Sequence, residues 1–558
     1  MTLDPRVVPA SEEPAGPSSA AVPANDSLDA PSGDQPPRPQ RGDELDLQID
    51  SLAFGGEGVA RLGDSGYVVF VAGAIPGDRV RAVVHKRKRN YAHARTVEVL
   101  EPGPERIAPR ADHPGVPWQV LPYERQLLIK REQVDDALRR IGRLDGFELE
   151  EIVPALEQWR YRNKLEYSFG EGGDGDPDGL VCGFHAPAGG NAVVAIEDCL
   201  LASERGNLAR EVALAWCRAQ GLQAWERRGG PRGAREPEED QPEAQEPEAR
   251  EPEVQGGEQD GRAGPARKTS HAERNPDSHP AAREARRMER TAAAGDGRAF
   301  LRNLVVREGR RTGQLQIRIV TTDGELDAGS LALALSDALG ESLSGVLWTR
   351  SRSLAETTAG GDTELVWGEA ELPERLGELD LRISPEAFFQ TNTEMAELLY
   401  EVVVEYAALE GWERVYDLYS GIGTIALTLA PRAGELWGIE LIEEAVADAI
   451  ATARRNEIPG VQFFAGDTRL ALGELVERAG RPDVLVVDPP RAGLSQKVVR
   501  RIIEASPKRI VYVSCNPTTL APNAAQLVEA GWVLRKVRPV DMFPQTHHIE
   551  SVALLERG

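Results

Sequence analysis

The 558-residue sequence holds four cysteines, and Cys515 stands where a nucleophile would be useful. The run Val511-Tyr-Val-Ser-Cys-Asn-Pro517 reads as a buried strand: Val511 and Val513 are β-branched, and Asn516-Pro517 breaks the run. In an open α/β sheet, ligands bind beyond the carboxyl ends of the strands, so a thiol at such a tip is placed for attack. A lone cysteine is more often a small buried hydrophobe, so a partner has to be found. Glu550 lies 35 residues later, in Gln545-Thr-His-His-Ile-Glu-Ser-Val552, just ahead of a final apolar strand. A thiol that adds to an electron-poor carbon, with a carboxylate to remove a proton afterwards, is the chemistry this pair suggests. Without the thiol, Glu550 would read as a surface carboxylate beside a histidine.

A second group of residues reads as a nucleoside site. Asp417-Leu-Tyr-Ser-Gly-Ile-Gly423 follows an apolar strand and opens a helix, and its glycines permit a tight turn and close approach of a ligand. Glu440 ends the next strand, seventeen residues after Gly423, where an acid can accept both ribose hydroxyls. Asp467 stands at a further tip, in Ala465-Gly-Asp. The glycines do not complete a dinucleotide fingerprint, and no Gly-Lys-Ser loop is present to cradle phosphates. An adenosine-containing ligand without a bound pyrophosphate fits better, which points to S-adenosylmethionine. The fourth strand runs into Asp488-Pro-Pro-Arg-Ala-Gly493, whose prolines stiffen the loop that holds the carboxylate. Enzymes that methylate exocyclic amines place an aromatic residue after such a Pro-Pro pair; Arg491 argues against that reaction. Carbon 5 of a pyrimidine is a poor nucleophile, and a thiolate added at carbon 6 converts it into an enolate-like one.

These residues need a sheet to gather them. Short apolar strands alternate with helical stretches over 366–558: Arg414–Leu418, Glu435–Ile439, Val461–Phe464, Asp483–Val487 and Arg509–Val513. That order predicts a doubly wound, mostly parallel, Rossmann-like sheet. Residues 42–101 hold four or five short strands separated by glycine turns, the pattern of a small β-barrel. Its stretch Arg79 to Arg95 carries seven bases and no acid, a basic edge suited to RNA or to a merely solvated hairpin. Between the two, 102–365 is mixed α+β. Tyr123–Ile141 has helical spacing, and part of 105–145 is expected to pack on the catalytic domain. Trp159–Phe169 alternates as a strand that would set Arg160, Arg162 and Lys164 on one face, for phosphates or for solvent. Residues 1–41 and 228–297 are rich in Pro and acid, lack apolar periodicity, and read as a disordered tail and a disordered insertion.

The net charge of −25 argues at first sight against a nucleic-acid partner. Local clustering matters more than the total for binding a polyanion, and the Arg79–Arg95 stretch supplies it. Four scattered cysteines make no disulfide framework. With no long apolar run and no basic-then-apolar leader, a cytoplasmic monomer is expected.

Taken together, Ser384-Pro-Glu-Ala-Phe-Phe-Gln-Thr-Asn392, Asp417–Gly423, Gly438-Ile-Glu440, Asp488-Pro-Pro-Arg491, Ser514-Cys-Asn-Pro517 and His548-Ile-Glu550 resemble the RNA (uracil-5-)-methyltransferase family. They occur in that family's order. The segment 42–101 resembles a TRAM domain, an RNA-binding barrel of OB-like fold. Tyr161-Arg-Asn-Lys164 and Leu301-Arg-Asn-Leu-Val-Val-Arg307 resemble its central RNA-binding domain. The resemblance implies that Gln390, Tyr419, Glu440 and Asp488 contact the methyl donor, S-adenosylmethionine, with Asp467 as an addition. It implies Cys515 as nucleophile and Glu550 as proton acceptor. Because the barrel resembles those of the ribosomal enzymes, 23S rRNA is the preferred substrate. Rivals are uridine 54 of tRNA, a cytosine-5 target, and a non-catalytic RNA-binding or assembly factor. Many members hold a four-iron cluster on clustered cysteines ahead of the central domain. The matching stretch Pro109–Tyr123 has none, and Cys199 matches only the last ligand, so no iron–sulfur cluster is expected.

Overall fold

The structure, a computed structural model, describes residues 38–63, 66–172, 179–186, 192–225, 297–353, 355 and 357–558. The insertion read over 228–297 lies outside these residues except for Gly297, and the N-terminal tail is described only from residue 38.

Strict alternation builds the first unit. Its strands are β1 (Glu44–Gln48), β2 (Ser51–Leu52), β3 (Gly58–Leu62), β4 (Tyr67–Ala72), β5 (Arg79–Arg87) and β6 (Tyr91–Glu101), in the order β1-β5-β6-β4-β3-β2. Along β5, Val80, Ala82 and Val84 are buried and alternate with half-buried residues, which puts one face in a Val/Ala core. The seven bases divide accordingly. Arg79 pairs with Glu101, and Arg81 with Asp46 and Glu98, whereas Lys86 to Arg89 are exposed at the β5–β6 hairpin tip and Arg95 is exposed along β6.

A connecting helix, α1 (Tyr123–Asp136), passes into a π turn at Ala137–Ile141 and is followed by the short β7 (Glu148–Leu149). The central unit contains β8 (Lys164–Glu171), β9 (Leu180–His185), β10 (Val193–Ala195), α2 (Glu204–Ala219), β11 (Leu301–Gly309), β12 (Gln314–Thr321), α3 (Ala328–Leu339), β13 (Leu343–Arg350) and β14 (Asp362–Gly368). Its sheet runs β10-β9-β8-β11-β12-β13-β14. Two sequence expectations change here. The strand read from Trp159 starts only at Lys164, because the Arg160 and Arg162 amides donate to Leu200 and Leu201 carbonyls (2.8 and 3.1 Å) instead of joining the sheet. The boundary drawn at 365/366 cuts β14, which pairs with β13 through Gly368.

A hairpin, β15 (Leu372–Leu376) and β16 (Leu379–Ile383), leads to α4 (Thr393–Ala407) and the catalytic sheet. That unit continues with β17 (Arg414–Leu418), α5 (Thr424–Leu429), β18 (Glu435–Glu440), α6 (Glu443–Arg455), β19 (Val461–Ala465) and α7 (Thr468–Ala479). It ends with β20 (Val484–Val487), α8 (Gln496–Ala505), β21 (Arg509–Ser514), α9 (Pro517–Glu529), β22 (Trp532–Val540) and β23 (Glu550–Arg557). The order is β19-β18-β17-β20-β21-β23-β22-β7, with β17 to β21 parallel and β23 antiparallel to both neighbours. Its strands are apolar throughout because both faces are covered. Val415, Val486 and Val511 pack with α4 and α5 on one side. Tyr416, Leu485 and Tyr512 pack with α7, α8 and α9 on the other. Chain order reverses between β17 and β20, so a crevice opens at their carboxyl ends.

Candidate active site

The left half of that crevice is made by β17, β18 and β19. Tyr419 leaves β17 in a left-handed conformation (φ 64°), a costly geometry for a non-glycine residue. Gly423 follows as the N-cap of α5, where a Cβ would strike the Phe463 ring at 2.9 Å. By contrast, a Cβ on Gly421 would meet nothing within 4 Å, so the turn's backbone lies open to a ligand. Glu440 is locked over this turn: Oε2 accepts the Gly421 amide (3.0 Å), and Oε1 the Leu441 and Ile442 amides (2.7 and 3.0 Å). Leu441 and Ile442 stand exposed beside it as an apolar wall. Asp467 caps α7 by accepting the Arg469 amide (2.9 Å), and its carboxylate is held by the Arg469 guanidinium, which lowers its pKa to about 2.

The right half brings the reactive groups together. Asp488 lies one residue beyond β20, Cys515 lies one residue beyond β21, and Glu550 begins β23. Because β23 is antiparallel, Ser514 pairs with Ser551, and the start of one strand meets the end of the other. Burial raises Cys515 to about 12, with the Glu550 and Asp488 charges adding to the effect and Arg491 opposing it. Burial raises Asp488 to about 7. Glu550, fully inside, is pushed well above the usual carboxylate range by burial and then by Asp488, again opposed by Arg491. Asp417, on β17 below them, is also pushed up by burial and by Asp488; the Ala426 amide pulls the other way. Neither oxygen of Asp417 makes a hydrogen bond of ordinary geometry, nor does the buried Ser420 Oγ.

Three supports fix the right half. The Arg491 carbonyl accepts Asn516 Nδ2 (3.1 Å), and Asn516 caps α9 directly after the thiol. Arg491 Nη2 lies 2.9 Å from His548 Nδ1; arginine only donates, so the ring accepts there and carries its proton on Nε2. Burial lowers His548 to about 3 and His547 to about 4, which leaves both rings neutral at neutral pH. The segment that delivers Glu550 is clamped from outside the sheet. Lys130 Nζ and Tyr123 Oη of α1 both donate to the buried Asp541 (2.6 and 2.8 Å). Gln126 exchanges two hydrogen bonds with Gln545 (2.8 and 2.9 Å), which itself sits at φ 66°. The central unit reaches the site through Asn163, whose Nδ2 donates to the Gln390 carbonyl and to Thr393 Oγ1 (2.8 and 2.9 Å). Gln390 is thereby held, buried, at the approach to α4.

All seven site residues read from the sequence therefore lie along one sheet edge or the α4 approach, with Asp467 already bound to Arg469. The proposed RNA face of the central unit is less open than its sequence suggested: Arg160 pairs with Asp198 and Lys164 with Glu166. Cys199 is buried 3.3 Å from His113 Nε2. Among the described residues no three His, Cys, Asp or Glu side chains are grouped to hold a metal ion. The sequence reading missed Asp417, the Arg491–His548 pair and the clamp from α1.

Residues 369–558 match the tRNA (Uracil-5-)-methyltransferase family, and 38–97 match the TRAM domain. An uncharacterised RNA methyltransferase of Bacteroides thetaiotaomicron is 33% identical over 524 residues, covering 90% of this chain and all of that one. One from Chlorobaculum tepidum is 32% identical over 557 residues, covering 95% and 100%. The chain belongs to the RNA (uracil-5-)-methyltransferase family. Its fold also matches the crystal structure of the Pyrococcus abyssi tRNA (uracil-54, C5)-methyltransferase in complex with S-adenosyl-L-homocysteine, with a TM-score of 0.64 and 24% identity over 91% of this chain and 99% of that one.

RNA (uracil-5-)-methyltransferases of this family depend on S-adenosylmethionine, and the residues present suit that donor. The edge gathers three carboxyl groups, Asp417, Asp488 and Glu550, whose burial keeps them short of counter-charge. A ligand bearing a sulfonium and an ammonium supplies the missing positive charge.

Proposed function

We propose that this methyltransferase acts on carbon 5 of a uridine through a covalent bond between Cys515 Sγ and carbon 6, with 23S ribosomal RNA as substrate. The observation that carries the reading is the Ser514–Ser551 pairing, which sets Cys515 and Glu550 at adjoining strand ends. S-adenosylmethionine supplies an electrophilic methyl group. The chain's own residues supply the rest. Cys515 adds as thiolate to carbon 6, and the displaced electron pair makes carbon 5 nucleophilic. Once the methyl group is on carbon 5, Glu550 as carboxylate removes the proton there, carbon 6–sulfur cleavage follows, and the thiolate returns. The Cys515 thiol and the Glu550 carboxyl start with raised pKa values, so the positive charges of Arg491 and the bound donor have to lower them, the released protons passing to solvent. The target base leaves its stack to reach Cys515, while Lys86 to Arg89 on the barrel meet phosphates. Gln390, Tyr419, Glu440, Asp467 and Asp488 hold the donor.

The same reading has a monomeric, cytoplasmic enzyme; no helix among the described residues is long and apolar enough to cross a membrane. A tRNA substrate is the second reading, supported by the fold likeness to the Pyrococcus abyssi enzyme named for uracil 54. Mass-spectrometric mapping of 5-methyluridine in ribosomal and transfer RNA from a strain lacking this protein decides between them. Loss from 23S rRNA is expected; loss from tRNA alone would transfer the assignment. No loss from either, with no methylation by the purified protein, would leave only a binding role.

A further inference from the structure

The barrel touches the catalytic loop directly. Its β2–β3 turn, Gly55-Gly56, lies so close to His547 that a Cβ on Gly56 would stand 2.9 Å from the histidine Cβ and 3.1 Å from Cγ and Nδ1. Phe54, next in the turn, packs against the apolar cluster beneath the catalytic sheet. Gln133 of α1 donates to the Ala53 carbonyl at 3.2 Å, and Leu52 joins Ile75, Trp118, Leu121 and Ile129 in a small core. The turn is thus seated by packing on three sides. From His547 the contacts continue inward. The His547 and His548 rings are 4.1 Å apart, His548 accepts from Arg491, and Arg491 is the cation whose charge reaches Cys515 and Glu550.

We propose that the Gly55–Gly56 turn is a positioning element of the active site: by seating His547 it holds His548 and Arg491 in place, so the barrel governs the covalent step as well as the grip on RNA. This rests on the covalent reading given above. A barrel that served only as an RNA handle would have no reason to press a side-chain-free backbone against the residue three positions before Glu550. The arrangement makes docking of the barrel a condition for a competent Arg491. RNA that pulls on the exposed hairpin tip therefore acts on the same six-stranded sheet that supports the catalytic loop.

The two glycines give a matched test. Both have positive φ (101° and 87°), so alanine strains the backbone at either, but at Gly55 the Cβ enters open space and at Gly56 it meets His547. The deciding measurement is the single-turnover methylation rate at saturating RNA and S-adenosylmethionine, with RNA affinity measured separately. Gly56→Ala is expected to fall about 10–100-fold below Gly55→Ala, the loss typical of a small misplacement of reacting groups. Equal saturating rates for the two variants would overturn the proposal, whatever happens to affinity. If Gly56→Ala does not fold, His547→Ala breaks the relay to His548 without straining the backbone; a wild-type rate there would overturn it equally. A wild-type enzyme that neither methylates nor forms an adduct with 5-fluorouridine RNA defeats the covalent reading itself, and is thereby distinguished from failure of this inference alone.

Discussion

The two halves of the crevice differ in how their charges are satisfied. On the left, Glu440 accepts three backbone amides and Asp467 is closed by Arg469. These carboxylates already have hydrogen-bond partners within the protein. On the right, Asp488, Cys515 and Glu550 are gathered with too little positive charge, and all three hold their protons more tightly than in water. In the proposed reaction the left half is a preformed socket, whereas the right half becomes reactive only when a cation completes it. Ordered binding is the expectation from that difference: a donor seated on the left would bring the charge that the right half lacks.

The sharpest break of this contrast is Cys515→Ala. It removes the group proposed to bond to the base, and methylation should drop by about 10⁴-fold or more. Binding of S-adenosylhomocysteine, measured by calorimetry, should stay unchanged because the left half is untouched. Glu550→Gln comes next, with turnover reduced by about 10²–10⁴-fold. The amide cannot take the carbon-5 proton, so a protein–RNA adduct resistant to denaturing gels should accumulate on unmodified RNA. A fully active, adduct-free variant would remove Glu550 from the reaction. On the left, Glu440→Gln should weaken donor binding by about tenfold, ~1.4 kcal/mol. One amide nitrogen would then face a backbone N–H that now donates to a carboxylate oxygen. Adduct formation with 5-fluorouridine RNA at saturating donor should survive this change. Its loss would show that the halves are not separable.

The left half and the strand tips were legible because local punctuation marks them. Pro489-Pro490 and Asn516-Pro517 end apolar runs, and Gly421 and Gly423 both take positive φ in the turn, with Gly423 also leaving no room for a Cβ beside the Phe463 ring. What was not legible depends on contacts between distant segments. Lys130 meets Asp541 across 411 positions, and nothing in the pattern of α1 distinguishes that lysine from a solvated one. Gly56 reads as an ordinary barrel turn until His547 is placed beside it. Asp417 belongs to a motif read for its glycines, so its burial without a hydrogen bond of ordinary geometry went unnoticed. Arg160 and Lys164 read as free for phosphates or for solvent because alternation shows which face a residue shares, not whether an acid such as Asp198 or Glu166 arrives to neutralise it.

The smallest effect separates the halves by stability. Asp488 titrates near 7 in the folded protein, well above its ordinary 3.8. Between those values the unfolded chain has released this proton and the folded one has not, so the unfolded state binds fewer protons and stability falls as pH rises. Below about pH 4 the residue is neutral in both states and costs nothing. Above about pH 7 the folded enzyme carries an unfavourable buried charge, and the loss levels off. Asp488→Asn should therefore raise the melting temperature of the donor-free enzyme at pH 8 and leave it unchanged at pH 4. Because Asp488 is partly open to the crevice, the gain at pH 8 is expected to be only about 1–2 kcal/mol. Glu440→Gln should show the opposite sign at pH 8, since its carboxylate is satisfied by three amides. If both substitutions moved stability in the same direction, the distinction between a finished left half and an unfinished right half would fail.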